Sequence, residues 1–178
     1  MISGLSFRLV GPERLAVTGP NGSGKTTLIH LATGELTPTA GHVTRGVEGV
    51  LLDQRAALLQ DDQSLIENYR RLNPDVTDNV AHAALARFLF RNVAGLKPAG
   101  ELSGGERLRA ALACVLMTPR PPQLIILDEP TNHLDLASIE AIETALAAYD
   151  GALLVVSHDE DFLAAVGVDA RLRLGQDR

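Results

Sequence analysis

The feature that most restricts this chain is a junction. The apolar run Arg14-Leu15-Ala16-Val17-Thr18 passes without a break into Gly19-Pro20-Asn21-Gly22-Ser23-Gly24-Lys25-Thr26-Thr27. A short apolar run reads as a strand, and the glycine-rich turn after it needs backbone angles that glycine adopts most freely. Residues 26–33 then carry apolar positions at helical spacing and stop at Gly34. Strand, loop and helix in direct succession are a unit of an α/β fold.

The same alternation returns later in the chain. A β-branched and leucine-rich strand is predicted at 47–52, ending at Gln54. Two helix-patterned runs follow at 63–72 and 78–90, parted by Asn73-Pro74 and with no strand between them. From Leu102 the order is helix 105–117, strand 124–127, helix 136–149, strand 152–156, helix 159–166 and strand 171–174. Strands alternating with helices predict a mostly parallel, doubly wound sheet. The expected organisation is one domain over residues 1–178, with an α/β core at 1–60 and 96–178 and a helical insertion at 61–95. A chain of 178 residues can bury such a core without disulfides or a structural metal.

A strand feeding a helix through a glycine turn aims several backbone N–H groups and a positive helix end at one anion, which suits a triphosphate. Residues Gly19, Pro20, Asn21, Gly22, Ser23 and Gly24 would form that cradle. Lys25 would reach the β- and γ-phosphates, the Thr26 hydroxyl would bind Mg²⁺, and the Thr27 hydroxyl would lie near the α-phosphate. Loss of Lys25 is expected to collapse binding. The pattern Gly-x-x-x-x-Gly-Lys-Thr alone would occur in roughly one random chain in a hundred of this length. The ambiguity falls away because Gln54, Leu102–Glu106, residues 124–130, Thr131–Asp135 and Ser157-His158-Asp159 follow in order.

Residues 124–127 form a continuous apolar run, as in a strand buried on both faces, and Asp128 and Glu129 stand at its C-terminal end. Adjacent strand residues point in opposite directions, so the two carboxylates take separate tasks: Asp128 on Mg²⁺ through water, Glu129 polarising the attacking water. Gln54 can offer an amide oxygen to Mg²⁺ or to water. His158 follows the buried strand 152–156, where a γ-phosphate contact is expected. His30, His42, His82 and His133 have no such position and read as surface or capping residues, and Ser157 with Glu160 fits a capping box for the next helix.

Leu102-Ser103-Gly104-Gly105-Glu106 is also a capping box, with unobstructed N–H groups at a helix start. It makes a second phosphate cradle in a chain that already has one, which points to ATP supplied by another molecule or domain.

Composition narrows the rest. Net charge −6 argues against gripping nucleic acid by phosphate neutralisation. The pairs Arg70 and Arg71, Arg87 and Arg91, and Arg107 and Arg109 read as solvated helix surface. The single cysteine, Cys114, lies in a helix-patterned apolar run and reads as a buried thiol rather than a nucleophile. No apolar run is long enough to span a bilayer, and no signal peptide is visible, so a cytoplasmic chain without direct membrane insertion is expected.

With these motifs in this order, the chain resembles an ATP-binding cassette (ABC) nucleotide-binding domain of the P-loop class over nearly its whole length. The resemblance implies a helical subdomain between Gln54 and the Leu102–Glu106 motif. It also implies that two cassettes close head to tail around two ATPs, each held between residues 19–27 of one and Ser103–Glu106 of the other. Asp135 matches the segment that crosses that interface. Thr131-Asn132-His133-Leu134-Asp135 directly after Asp-Glu-Pro, together with Glu106, resembles the F subfamily of soluble twin-cassette proteins that act on the ribosome. The alternatives are the ATPase subunit of a membrane transporter and a nucleotide-binding fragment without turnover.

The chain departs from that family where a strand with an adenine-stacking aromatic usually precedes the phosphate loop. Phe7 is too close to the loop to be that residue, and its place in 5–10 reads as core packing. Base stacking is worth about 1–3 kcal/mol, so ATP binding about tenfold weaker, or a relaxed preference for adenine, is expected. A second cassette cut from a longer protein, or a truncated product, is the expectation for the chain as a whole.

Overall fold

The computed structural model describes residues 2–53 and 55–175. The elements run β1 (Arg14–Thr18), α1 (Lys25–Thr33), β2 (Gly49–Leu52), α2 (Leu65–Leu72), α3 (Asp78–Arg87), α4 (Gly104–Leu116), β3 (Leu124–Asp128), α5 (Leu136–Ala147), β4 (Ala152–Val156), α6 (Glu160–Ala165) and β5 (Ala170–Arg173). Short 3₁₀ turns at Asn92–Leu96 and Ala99–Glu101 lead from α3 into α4. The predicted elements are all present: β1 and β4 have the predicted bounds, β2, α2, α3, α5 and α6 are shorter than predicted, and the others differ by one residue at one or both ends.

By internal packing the chain divides into two compact units, Met1–Leu51 with Pro122–Glu129 and Asp150–Arg178, and Leu52–Pro121 with Pro130–Tyr149. The first is built on the sheet, whose strand order is β2-β3-β4-β1-β5. β3 runs parallel to β4 with Ile126 opposite Leu154, β4 parallel to β1 with Val155 opposite Ala16, and β1 parallel to β5 with Val17 opposite Leu172. Every residue of β4 is buried, as expected of a strand between two parallel neighbours and covered on both faces. Leu28 and Ile29 of α1 pack with Val17, Ile126, Leu154, Val156 and Leu174 into one apolar cluster. Each such side chain contributes about 1.5–3 kcal/mol on burial. Gly34 ends α1 in the left-handed region and returns its N–H to the His30 carbonyl, closing the helix where the sequence stops it.

The second unit holds α2, α3, α4 and α5. Ser64 starts α2 with a capping box: its hydroxyl accepts from the Glu67 N–H, and the Glu67 carboxylate accepts from the Ser64 N–H. Asn68 is fully buried, and its side chain accepts from the Gln60 N–H and donates to the carbonyls of Gln60, Gln63 and Ser64. Tyr69 is equally buried and donates its hydroxyl to the Met117 carbonyl at the end of α4. Asn73 donates from its amide to the Cys114 carbonyl. Cys114 itself is buried, and burial pushes its thiol up to about 12, so it is the inert thiol expected.

Three expectations fail. Ser157 is not the cap of α6: it is fully buried, its hydroxyl accepts from the Asp159 N–H, and Asp159 caps the helix by accepting from the Phe162 N–H. Glu160 is instead drawn to Arg171 of β5 in a two-pronged ion pair. Phe7 is not core: it is exposed, while Leu5 and Leu9 pack against the apolar cluster. Residues 5–10 form no ladder, so the two-residue periodicity of a strand does not apply to them. Arg107 and Arg109 are not a solvated face. Arg107 pairs with Asp61 and donates to the carbonyls of Arg55 and Ala99, and Arg109 is 8% exposed.

Candidate functional site

The first unit presents the glycine turn at the C-terminal end of β1. Gly19, Gly22 and Gly24 all take positive φ, and Gly24 is the N-cap of α1. Because a glycine cap has no side chain, and the first turn of α1 carries no acidic residue, the helix's opening N–H groups have no capping side chain among the described residues. That is the arrangement an anion needs. Behind the turn, Ser23 donates its N–H to the Pro20 carbonyl, while the Ser23 hydroxyl is buried with no hydrogen-bond partner among the described residues. Pro20 and Asn21 are exposed. Lys25 bends back over the turn and donates from Nζ to the Gly19 carbonyl at 2.8 Å and the Pro20 carbonyl at 3.4 Å. Thr26 and Thr27 stand exposed on the first turn of the helix.

Two sheet positions away, Asp128 ends β3 and Glu129 follows with φ 49, the left-handed region that a non-glycine residue enters only at a cost. The Glu129 N–H donates to the Val156 carbonyl at 2.8 Å, which ties this bend to the end of β4. From there His158, 55% exposed, brings Nε2 within 3.7 Å of Glu129 Oε1. Burial raises the Glu129 carboxyl above the ordinary glutamate range, the neighbouring Asp128 charge adds to this, and His158 and Lys25 oppose it. Lys25, Asp128 and His158 are therefore electrostatic neighbours of Glu129. Gln54, read as a Mg²⁺ and water contact, lies outside the described residues.

Thr26 and Asp128 offer hard oxygen donors, the chemistry that suits Mg²⁺. No group of three or more His, Cys, Asp or Glu is placed to hold a metal among the described residues. Mg²⁺ does not require one, because it keeps most of its waters and takes the rest of its shell from substrate phosphates. The donor set fits.

The second unit carries the other motif. Leu102 is buried ahead of α4, Ser103 is its N-cap, and the capping box forms as read: the Ser103 hydroxyl accepts from the Glu106 N–H at 3.3 Å and Glu106 accepts from the Ser103 N–H at 2.9 Å. That backbone bond holds the Glu106 carboxyl below its ordinary range. Gly104 is half-buried and Gly105 fully so. A Cβ on Gly105 would lie 2.2 Å from Leu134 Cδ2, so the loop that follows β3 packs directly on the first turn of α4. Asp135 caps α5, accepting from the Ser138 N–H at 2.8 Å, and the bonds from Ser138 hold its carboxyl low.

The structure sets three further residues beside these, for which motif spacing gives no role. Leu134 touches Gly105, His133 takes φ 61 to turn the chain toward it, and Arg109 lies buried one turn along α4 from Glu106. Arg109 had a visible signal: it stands between Leu108 and Ala110-Ala111-Leu112-Ala113, an arginine inside an apolar helical run.

The family model described as ABC transporter matches residues 2–132. An ATP-binding protein Uup-like from Haemophilus influenzae is 36% identical over 184 residues, covering 100% of this chain and 40% of the relative. A probable ATP-binding protein YheS from the same organism is 37% identical over 166 residues, covering 92% of this chain and 26% of the relative. A solved ATP-binding subunit of an ABC transporter superposes with TM-score 0.74 at 20% identity, over 94% of this chain and 77% of its own, a likeness of fold. The chain thus spans less than half the length of these curated relatives. No helix among the described residues is long and apolar enough to cross a membrane.

Proposed function

The chain belongs to the ABC transporter family, as an ATP-binding cassette of the F-subfamily kind, and from that premise we propose that it binds Mg²⁺-ATP, hydrolyses it, and closes head to tail with a second cassette. The observation that carries the reading is the uncapped glycine turn together with the half-buried Glu129, whose carboxyl feels the charges of His158 and Lys25. Gly19, Pro20, Asn21, Gly22, Ser23 and Gly24 wrap the phosphates with backbone N–H groups, and Lys25 exchanges its carbonyl partners for the β- and γ-phosphates. Thr27 adds its hydroxyl near the α-phosphate. Thr26 and Asp128 would hold Mg²⁺, directly and through water, with Gln54 as a third oxygen donor. The ion, when bound, neutralises phosphate charge. Glu129 is the base that orients the attacking water, and burial gives it a proton affinity closer to that task. His158 steadies Glu129 and reaches the γ-phosphate.

Leu102, Ser103, Gly104, Gly105 and Glu106 form the cradle for the γ-phosphate of a partner's ATP, and Asp135 lies in the segment that meets the partner. Support comes from the helix start at Ser103, where Gly104 and Gly105 have no side chains to cover the backbone. The partner is a second cassette, in the same natural chain or in a second copy of this one. The subfamily likeness at Thr131–Asp135 and Glu106 supports the ribosome as the larger target.

Light scattering of Glu129→Gln tests the reading. The variant is expected to form a dimer with Mg²⁺-ATP and to stay monomeric without nucleotide. A variant that binds ATP tightly yet stays monomeric at every concentration refutes pairing between copies of this chain. Steady phosphate release by the unaltered chain, abolished in Glu129→Gln, is expected, and turnover surviving in the variant removes Glu129 as the base. The ribosomal reading fails if the ATP-trapped variant never pellets with ribosomes.

A further inference from the structure

Arg107 follows directly on the Leu102–Glu106 motif, and its backbone and side chain are bonded in different directions. Its N–H donates to the Ser103 carbonyl at 2.8 Å, within the first turn of α4. Its guanidinium reaches three acceptors outside that helix. Nε donates to the Arg55 carbonyl at 3.0 Å, and Nη1 to Asp61 Oδ1 at 2.7 Å and to the Ala99 carbonyl at 2.9 Å, in the 3₁₀ turn that precedes Leu102. The Arg107 side chain is only 16% exposed, so water competes little for these charge-assisted bonds. The segment it grips is itself shaped. Asp53 Oδ1 accepts from the N–H groups of Arg55 and Ala56, and Ala56 is fully buried at φ 44, a region that a non-glycine residue enters at a cost. The Gly100 N–H donates to the Asp61 carbonyl at 3.0 Å, and a Cβ on Gly100 would lie 3.1 Å from that oxygen. Residues 55–61 begin beside Gln54 along the chain, and Arg107 holds both their ends. Their hold on α2 is separate: Arg71 donates to the Leu58 carbonyl at 2.6 Å, and Asn68 Oδ1 accepts from the Gln60 N–H at 2.8 Å.

We propose that Arg107 is a positioning residue that locks residues 55–61 to the start of α4, so that a displacement beginning at Gln54 is carried to the Ser103–Glu106 cradle. The proposal rests on the reading that Gln54 meets Mg²⁺ and that the cradle meets a partner's ATP, and it adds the connection between the two within one chain. Nucleotide held by a cassette then sets the posture of the cradle which that cassette offers to its partner. One planar guanidinium reaching Arg55, Asp61 and Ala99 together, with its own N–H on Ser103, makes the loop and the helix start move as one body. A lysine could keep the Asp61 pair, but it has no fork with which to reach both carbonyls as well.

Amide hydrogen exchange of the full chain tests this, at a concentration where light scattering shows a monomer, so that no partner's ATP touches the cradle. Without nucleotide, Arg107→Met is expected to speed exchange about tenfold at the bonded amides of Arg55, Ala56, Gly100 and Leu102, with α2 and β4 unchanged, since local opening reports the stability of the segment concerned. Added Mg²⁺-ATP is expected to change exchange at both 55–61 and 103–107 in the unaltered chain, and at 55–61 alone in Arg107→Met. A residue of general stability would not uncouple the two responses. Arg107→Lys is expected to restore part of the response at 103–107. If Arg107→Met does not fold, Arg107→Lys against the unaltered chain carries both comparisons, and a reduced response confined to 103–107 supports the proposal. Unchanged exchange at these four amides in the nucleotide-free variant overturns it, as does acceleration spread evenly through α2, α4 and the sheet. It is also overturned by a response at 103–107 that survives in full without Arg107, or by none in an unaltered chain that Mg²⁺-ATP protects at 19–27. Absence of protection at 19–27 counts against the nucleotide reading itself, and the nucleotide-free exchange then judges the Arg107 clamp alone.

Discussion

Substitution of Gly105 by alanine sets two physical effects of opposite sign against each other. Gly105 lies in the first turn of α4 without a positive φ, so alanine gains helix propensity there of about 0.8–1.0 kcal/mol. Against this, the new Cβ would sit 2.2 Å from Leu134 Cδ2, whereas carbon atoms rest at about 3.5–4.0 Å. Leu134 must retreat by more than about 1 Å, and overpacking of this kind costs about 1–3 kcal/mol. The remaining neighbours are loose: Leu134 Cγ lies at 3.6 Å and the His133 carbonyl oxygen at 3.8 Å. The net effect expected for Gly105→Ala is a destabilisation of about 0–2 kcal/mol. In the background Leu134→Ala the clashing methyl is gone, and the same substitution should stabilise by about 0.5–1 kcal/mol. Urea unfolding of the four proteins of this double-mutant cycle measures a coupling of about 1–3 kcal/mol between the two sites. Zero coupling, or a stabilising Gly105→Ala in the otherwise unaltered chain, would refute the claim that Leu134 packs on Gly105. The nucleotide-free monomer suffices, so the outcome does not depend on any phosphate contact of Gly105.

Because burial raises the Glu129 carboxyl, the folded chain holds that proton more tightly than the unfolded one; stability from this group is full at low pH and falls as pH rises from the ordinary glutamate value through the raised folded value. Glu129→Gln should flatten that segment of a pH-denaturation curve, and a curve of unchanged shape counts against a raised Glu129. As the proposed base Glu129 must be ionised, so the acid limb of the kcat/KM profile is expected above the ordinary glutamate range, and His158→Ala, which removes a neighbour at 3.7 Å that opposes the shift, is expected to move it further up. A limb that moves down in His158→Ala contradicts the assignment. Asn68→Ala strands the Gln60 N–H and three carbonyls in the second unit, and a buried donor left unpaired costs about 1–3 kcal/mol, read as a lower urea midpoint. Cys114, with its thiol pushed up to about 12, should resist iodoacetamide at pH 8 in the folded chain and react once urea unfolds it; labelling of the native protein would show that α4 opens.

What could be read from residues alone was whatever depends on near neighbours. The strand at Ala152–Val156 declared itself by an unbroken apolar run, and the Ser103 capping box by a serine three residues before a glutamate. The same local logic misplaced the start of α6. Ser157 and Glu160 have the spacing of a capping box, but Glu160 is claimed by Arg171, eleven positions on in strand β5. Arg107 and Arg109 failed for the same reason, since Asp61 and Phe88 come within reach of them only when α4 packs against the rest of its unit. The positions of Lys25, Asp128 and Glu129 were legible because each stands at the C-terminal end of a parallel strand or just beyond it. The left-handed backbone of Glu129 and the 3.7 Å approach of His158 were not, because both follow from the β3–β4 pairing.

The two glycine motifs show how far ligand chemistry and folding chemistry overlap. A Cβ on Gly19 would lie 2.7 Å from the carbonyl oxygen of Leu174, a residue whose own N–H donates to the Thr18 carbonyl, and this clash with backbone cannot be relieved by a rotamer change. On Gly22 a Cβ meets nothing within 4 Å, so φ 79 is the fold's only demand on it, beside the access that the proposed phosphate contact requires. Gly105 falls between these cases, pressed by the end of a leucine that can move. Loss of activity on replacing Gly19 or Gly105 therefore mixes a packing defect with a binding defect, whereas Gly22 reports on the phosphates almost alone. Asparagine tolerates the left-handed region, so Gly22→Asn is the substitution whose effect on nucleotide affinity separates the cradle from the fold that carries it.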